Sequence, residues 1–211
     1  MSVKIKICGI TNYEDATICA SEGANAVGFI FYKKSPRFIM PKEAKRIINK
    51  LPCFISRVGV FVDEKEDTVL DIAKFCNLDT LQFHGSETNA YCASFRNNFK
   101  VIKSFFPKEA KIISKIKRYK VDATLLDIPF KEKSASLKTT LDFRVVRKIS
   151  KDIKFLILSG GLSCLNVGPL IKKLAPFAVD VARGVEKFPG KKDKAEIRNF
   201  IRAVKKAEKH A

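Results

Sequence analysis

The stretch Lys154-Phe155-Leu156-Ile157-Leu158, running into Ser159-Gly160-Gly161-Leu162, decides the fold. The run Lys154–Leu158 is almost continuously apolar, as expected for a parallel strand covered on both faces. Beyond the glycines, Val167, Leu170, Ile171 and Leu174 fall at i, i+3, i+4 and i+7, one face of a helix. Phe177–Val181 then supplies a second apolar run, and the whole reads as one β-α-β unit.

The same pattern repeats outward in both directions. Further strands are expected at Val3–Cys8, Ala26–Phe31, Arg57–Val62, Thr80–His84, Lys100–Ser104 and Ala123–Asp127. Helical spacing returns at Ala44, Ile47, Ile48 and Leu51, behind Pro41 at a first helical position. It returns again at Val69, Ile72, Ala73 and Cys76, and at Ile197, Phe200, Ile201 and Val204. Eight strand and helix pairs in 211 residues point to a single (βα)8 TIM barrel of eight parallel strands, with an open doubly wound sheet as the alternative. No break in composition divides the chain, so one domain over residues 1–211 is expected. The stretch Ile128–Thr140 has no clear period and reads as a mobile loop after the sixth strand.

Composition bounds the function. No apolar run approaches the roughly 20 residues needed to cross a bilayer, so a membrane span is excluded. The start, Met1-Ser2-Val3-Lys4-Ile5-Lys6, is charged too early for a signal peptide. Cysteines at 8, 19, 53, 76, 92 and 164 form no C-x-x-C pair, which reads as reduced thiols in a cytoplasmic protein, with neither a disulfide framework nor a zinc site. The net charge of +19 raises nucleic-acid binding as a possibility, but the lysines are spread along the chain without interleaved aromatics. A basic surface serving an anionic small molecule is the preferred reading. The chain is expected to act as a monomer or a homodimer.

In a barrel of this kind the working residues close the strands at their C-terminal ends. Cys8 closes the first, in Lys6-Ile7-Cys8-Gly9-Ile10-Thr11. A thiol there can be drawn toward thiolate and act as a base or nucleophile, or it can simply pack, as most strand cysteines do. Asp127 closes the sixth strand and reads either as a general acid with a pKa raised by burial or as a cap. His84 closes the fourth, and with only His210 elsewhere it does not make a metal site. Arg37, after Ser35-Pro36, presents a planar fork suited to a carboxylate, or else a solvated surface charge. The stronger signal is phosphate. Ser159-Gly160-Gly161 follows strand seven and Arg183-Gly184 follows strand eight, the positions where barrels commonly hold a phosphoryl group.

Taken together these segments resemble the phosphoribosylanthranilate isomerase family. The resemblance rests on Lys6-Ile7-Cys8-Gly9-Ile10-Thr11, on Gly23 through Phe31 with Ser35-Pro36-Arg37, and on Val58-Gly59-Val60-Phe61-Val62. It continues through Leu81-Gln82-Phe83-His84-Gly85, Leu125-Leu126-Asp127, Leu158 through Leu162 with Asn166-Val167, and Asp180 through Glu186 with Pro189-Gly190-Lys191-Lys192-Asp193. It implies an Amadori rearrangement of N-(5-phosphoribosyl)anthranilate in tryptophan biosynthesis, needing no cofactor and no metal. By that resemblance Asp127 is the acid on the ring oxygen, and Cys8 is the base at the second sugar carbon. Arg37 holds the anthranilate carboxylate, while His84 and Asp180 support. Gly160, Gly161 and Gly184 approach the phosphate. Two departures stand out. Ala182-Arg183 replaces a pair of serines, with Arg183 as a substitute phosphate contact, and Ser136-Leu137-Lys138-Thr139-Thr140 replaces a glycine-rich loop. The departures leave room for a related sugar-phosphate isomerase with a shifted substrate. A basic barrel that binds nucleic acid is the remaining rival.

Overall fold

The computed structural model describes residues 2–106, 112–128 and 143–208, with backbone alone at 143–145. Among these residues the chain alternates strand and helix from end to end. The first half runs β1 (Lys4–Cys8), α1 (Tyr13–Glu22), β2 (Ala26–Ile30), α2 (Pro41–Ile48), β3 (Ser56–Phe61), α3 (Glu66–Cys76), β4 (Thr80–Phe83) and α4 (Asn89–Ser94). The second half runs β5 (Lys100–Phe105), α5 (Ile112–Arg118), β6 (Ala123–Asp127), α6 (Phe143–Asp152), β7 (Leu156–Ser159), α7 (Val167–Leu174) and β8 (Ala178–Val181). A small antiparallel hairpin, β9 (Glu186–Phe188) and β10 (Lys191–Lys192), precedes the last helix, α8 (Lys194–Glu208). Strands β1 to β8 pair in sequence order, all parallel, and β8 returns to β1 to close the barrel. The TIM-barrel expectation is met, and the open sheet is excluded by that last pairing.

Local chemistry explains the boundaries. Asn12 caps α1 by accepting a hydrogen bond from Asp15 N at 2.9 Å, and Gly23 ends it in a left-handed conformation at φ 104°. Pro41 does open α2, as its spacing indicates. The helix stops at Ile48, short of Leu51, because Leu51 precedes Pro52 and a residue before proline is pushed out of the helical region. Most strand limits differ from the sequence reading by one or two residues, within the ordinary fraying of ends.

Alternation along the strands divides the core in two. Side chains such as Leu81, Phe83, Val101, Leu126 and Leu158 join the large cluster between sheet and helices. Their neighbours Val58, Ile102, Leu125, Ile157 and Ala178 form a separate cluster inside the barrel. The inward face is thus apolar in its middle layer on β3, β5, β6, β7 and β8, with Lys6 and Gln82 as its polar members on β1 and β4. The loop read at Ile128–Thr140 falls, apart from Ile128, outside the described residues, as do the loop departure at 136–140 and His210.

Candidate active site

The strand ends converge as the barrel geometry demands. Arg37, Asp127, Gly160, Gly161, Asp180, Arg183 and Gly184 line a single cavity of about 160 Å³ at the C-terminal mouth. His84 joins this group through Asp127, with Nε2 3.3 Å from Oδ2. Cys8 joins it through Lys6, whose ammonium lies 2.9 Å from Asp180 Oδ1 and beside the Cys8 thiol. Asp63, also at a strand end, turns elsewhere and accepts from Ser86 N at 2.6 Å.

The Cys8 thiol lies buried at the end of β1. Burial pushes the Cys8 thiol up from its ordinary range, and the Lys6 ammonium only partly offsets this. It is not drawn toward thiolate in the resting protein, because the cost of a buried charge outweighs one paired cation. Lys6 itself pays the same burial penalty, but Asp180 and Cys8 outweigh it and hold the ammonium charged. Gly28, opposite Cys8 in β2, makes the space for both groups. A Cβ there would lie 2.8 Å from Cys8 Sγ and 3.1 Å from Lys6 Nζ.

The two glycine turns meet in the backbone. A Cβ on Gly184 would lie 1.9 Å from Leu162 O, and one on Gly160 would lie 2.0 Å from Ile128 O and 2.4 Å from Asp127 Oδ1. The glycines after β7 and β8 are thus dictated by close approach of the loops, and Gly160 lets β7 sit against the β6 carboxylate. Asn166, buried, braces the first turn by donating to Gly161 O and accepting from Ser163 N, each at 2.9 Å.

Several participants escaped the sequence reading of single residues. Lys6 is one, since a lysine inside an apolar strand was treated only as part of a motif. Gln82 is another. Its amide reaches His84 Nδ1 at 3.2 Å, so that Gln82, His84 and Asp127 form a chain. Its inward position two residues before His84 was the available signal. Glu186 and Lys192 are the largest omission. Glu186 receives Arg37 Nε at 2.8 Å and Nη2 at 2.7 Å, while Lys192 Nζ donates to Glu186 at 2.9 Å and to Cys8 O at 2.6 Å.

The comparisons with known proteins follow this geometry. The family model for N-(5'-phosphoribosyl)anthranilate (PRA) isomerase matches residues 5–203. The chain belongs to that family. The PRA isomerase of Thermotoga petrophila is 43% identical over 203 residues, covering 96% of this chain and 98% of its own. A solved phosphoribosylanthranilate isomerase in complex with reduced 1-(o-carboxyphenylamino)-1-deoxyribulose 5-phosphate is 41% identical, with a TM-score of 0.87 over 97% of this chain and 99% of its own. A structure of monomers generated from the dimeric enzyme of Thermotoga maritima is 39% identical, with a TM-score of 0.86 over 96% of this chain and 98% of its own. Within the PRA isomerase family framework the cavity at the mouth is the candidate active site.

Proposed function

We propose that this chain isomerises N-(5-phosphoribosyl)anthranilate to 1-(2-carboxyphenylamino)-1-deoxyribulose 5-phosphate, the Amadori step of tryptophan biosynthesis. The observation that carries the reading is the meeting of Asp127, Arg37 and both glycine turns on one cavity. Asp127 gives its proton to the ring oxygen as the bond between that oxygen and the first sugar carbon breaks, leaving a protonated imine (iminium) at the anthranilate nitrogen. Cys8, as its thiolate, then takes the proton from the second carbon, and the resulting neutral enolamine becomes the ketone by gaining a proton at the first carbon and losing the one on its second-carbon hydroxyl. Acid and base stand on β6 and β1, on the same inward face, so the open sugar lies between them. His84, held by Gln82, keeps the Asp127 carboxyl in place. Lys6 steadies the thiolate form of Cys8 that must be present before the proton is taken, and Asp180 steadies Lys6. Arg37 takes the anthranilate carboxylate. Backbone N–H groups around Gly160, Gly161 and Gly184 take the phosphate, with Arg183 adding a charge where the family usually has a serine hydroxyl.

The test is a direct assay with freshly made phosphoribosylanthranilate, following loss of its fluorescence. Wild type is expected to turn over. Cys8→Ala and Asp127→Asn are expected to fall by roughly 10²- to 10⁴-fold, the usual reach of a general acid or base, with melting temperatures close to wild type. Full turnover in either variant would remove that residue from the mechanism.

Of the two assembly states expected, the homodimer is the better supported. Phe54, in the loop before β3, is 98% exposed. At that same N-terminal end of the barrel, opposite the mouth, an apolar cavity of about 430 Å³ opens among Val58, Ile102, Phe155, Ile157, Phe177 and Ala178. Seating Phe54 of a second copy in it would remove an aromatic ring from water, worth about 1.5–3 kcal/mol for each loop. The unpaired cysteines support a reducing, cytoplasmic setting.

A further inference from the structure

The cluster formed by Arg37, Glu186 and Lys192 lies against the cavity wall, and none of the steps above uses Glu186 or Lys192. Lys192, in β10, is fully buried, with its side chain 0% exposed. Its ammonium donates to Cys8 O at 2.6 Å, to Ala182 O at 3.2 Å and to Glu186 Oε1 at 2.9 Å. Glu186, whose side chain is 2% exposed, receives that bond, a 3.3 Å bond from Gly190 N and the paired bonds from Arg37. The hairpin turn is itself tied down, since Thr11 Oγ1 donates to Gly190 O at 2.5 Å and Lys192 N to Asp15 Oδ2 at 2.8 Å. One side chain thus links the end of β1, the end of β8 and the carboxylate that holds Arg37.

Two physical consequences follow. A bidentate fork fixes both the plane and the rotation of a guanidinium, which a single bond does not. The stem of Arg37 is also confined, because its Cδ would be 2.6 Å from a Cβ on Gly9, which sits at φ 79°. Arg37 therefore meets the cavity in one orientation. The charge balance favours an anion as well, since one carboxylate between two cations leaves the three groups with a net positive charge. Burial opposes the ionised form of Glu186, yet Arg37 and Lys192 outweigh it and keep the carboxyl below the usual carboxylate range.

We propose that Glu186, locked by the buried Lys192, is a positioning residue that presents Arg37 to the substrate's ring carboxylate and so sets specificity for ortho-carboxylated arylamino sugars. The inference rests on the isomerase reading for the identity of the substrate, and its test is kept separate from turnover. The full chain is titrated by calorimetry with reduced 1-(o-carboxyphenylamino)-1-deoxyribulose 5-phosphate and with the same compound lacking the ring carboxyl. Wild type, Glu186→Gln and Glu186→Ala are compared, with melting temperatures recorded beside them. Wild type is expected to prefer the carboxylated ligand by roughly 10- to 100-fold, the range for a charge-assisted contact. Glu186→Ala is expected to erase most of that preference and Glu186→Gln to retain part of it, while the ligand without the carboxyl shifts by less than about threefold. A merely structural role would weaken both ligands alike. An unchanged ratio in either folded variant overturns the proposal, and Glu186→Gln, which keeps the size and an acceptor, decides alone if Glu186→Ala does not fold. A wild type that shows the preference but no turnover upholds this inference while refuting the isomerase reading.

Discussion

At the mouth of the barrel the inward side chains are Cys8, His84, Asp127, Ser159 and Asp180. Two residues earlier on the last three of those strands stand Leu125, Ile157 and Ala178, in the apolar interior. A strand repeats its facing every two residues, so one step along the pleat separates a packed hydrocarbon interior from Asp127, the glycine turn after β7 and the paired Asp180 carboxylate. The difference between the two ends lies in how charge is treated. The mouth buries ions, and each is paired: Lys6 with Asp180, Lys192 with Glu186, Glu186 with Arg37. The foot holds an apolar cavity rimmed by Lys4, Lys100 and Asp122. The lesson is that stability and chemistry are divided along the barrel axis: the interior layer excludes water by packing, and the mouth offsets desolvation by pairing.

That division can be broken at either end. The largest stability effect is expected from Leu125→Ala in the interior. It should cost about 2–5 kcal/mol by denaturant unfolding, yet leave the activity of the folded fraction close to wild type. A loss of activity without a loss of stability would show that the interior packing reaches the chemistry.

The next effect is on pH dependence. Three thiols away from the mouth are raised by burial: Cys19 and Cys92 to about 12 and Cys76 to about 11. Cys8 is also raised by burial, but Lys6 pulls against it. The proposed mechanism needs an acid and the Cys8 thiolate together. Once Cys8 is fully ionised, a further rise in pH gains no base and only depletes the acid form, so activity falls. Because the Cys8 thiol is raised from its ordinary value of 9.0, the alkaline limb of kcat/KM is expected above pH 9. The same sign applies to stability. A thiol with a raised pKa in the folded state stabilises below its unfolded pKa, and that contribution is lost as pH rises through the folded value. A catalytic limb below pH 9 would mean that the cation at the mouth outweighs burial after all.

The smallest effect belongs to the foot. Phe54→Asp is expected to halve the mass seen by sedimentation, with kcat within about twofold of wild type, since Phe54 is remote from the mouth. A wild type that sediments as a monomer would leave the foot as a packing face only.

Much of the fold was legible because parallel strands covered on both faces read as apolar runs, and the helices between them carry a clear period. The sites at strand ends followed from the barrel rule and from glycines placed after β7 and β8. Lys6, Glu186 and Lys192 were not legible as site residues. A lysine or glutamate looks solvated in sequence, and only the closing of β8 onto β1, with the hairpin folded over that seam, buries these groups and brings them together. The sequence left the state of Cys8 open between an activated and a buried thiol, because an adjacent cation can be read from sequence while the depth of burial cannot.

The amino-acid sequence by itself determined eight alternating strands and helices and placed Cys8, Asp127, Arg37 and the two glycine turns at or just after strand ends. Each depends on local period or on position at the end of a strand. The tertiary structure decided which charges are buried, which partners hold them, and that Arg37 faces the cavity in a fixed plane. Those properties arise between residues as far apart as Arg37 and Glu186 or Lys6 and Asp180, and desolvation, which sets their strength, exists only once the chain has closed.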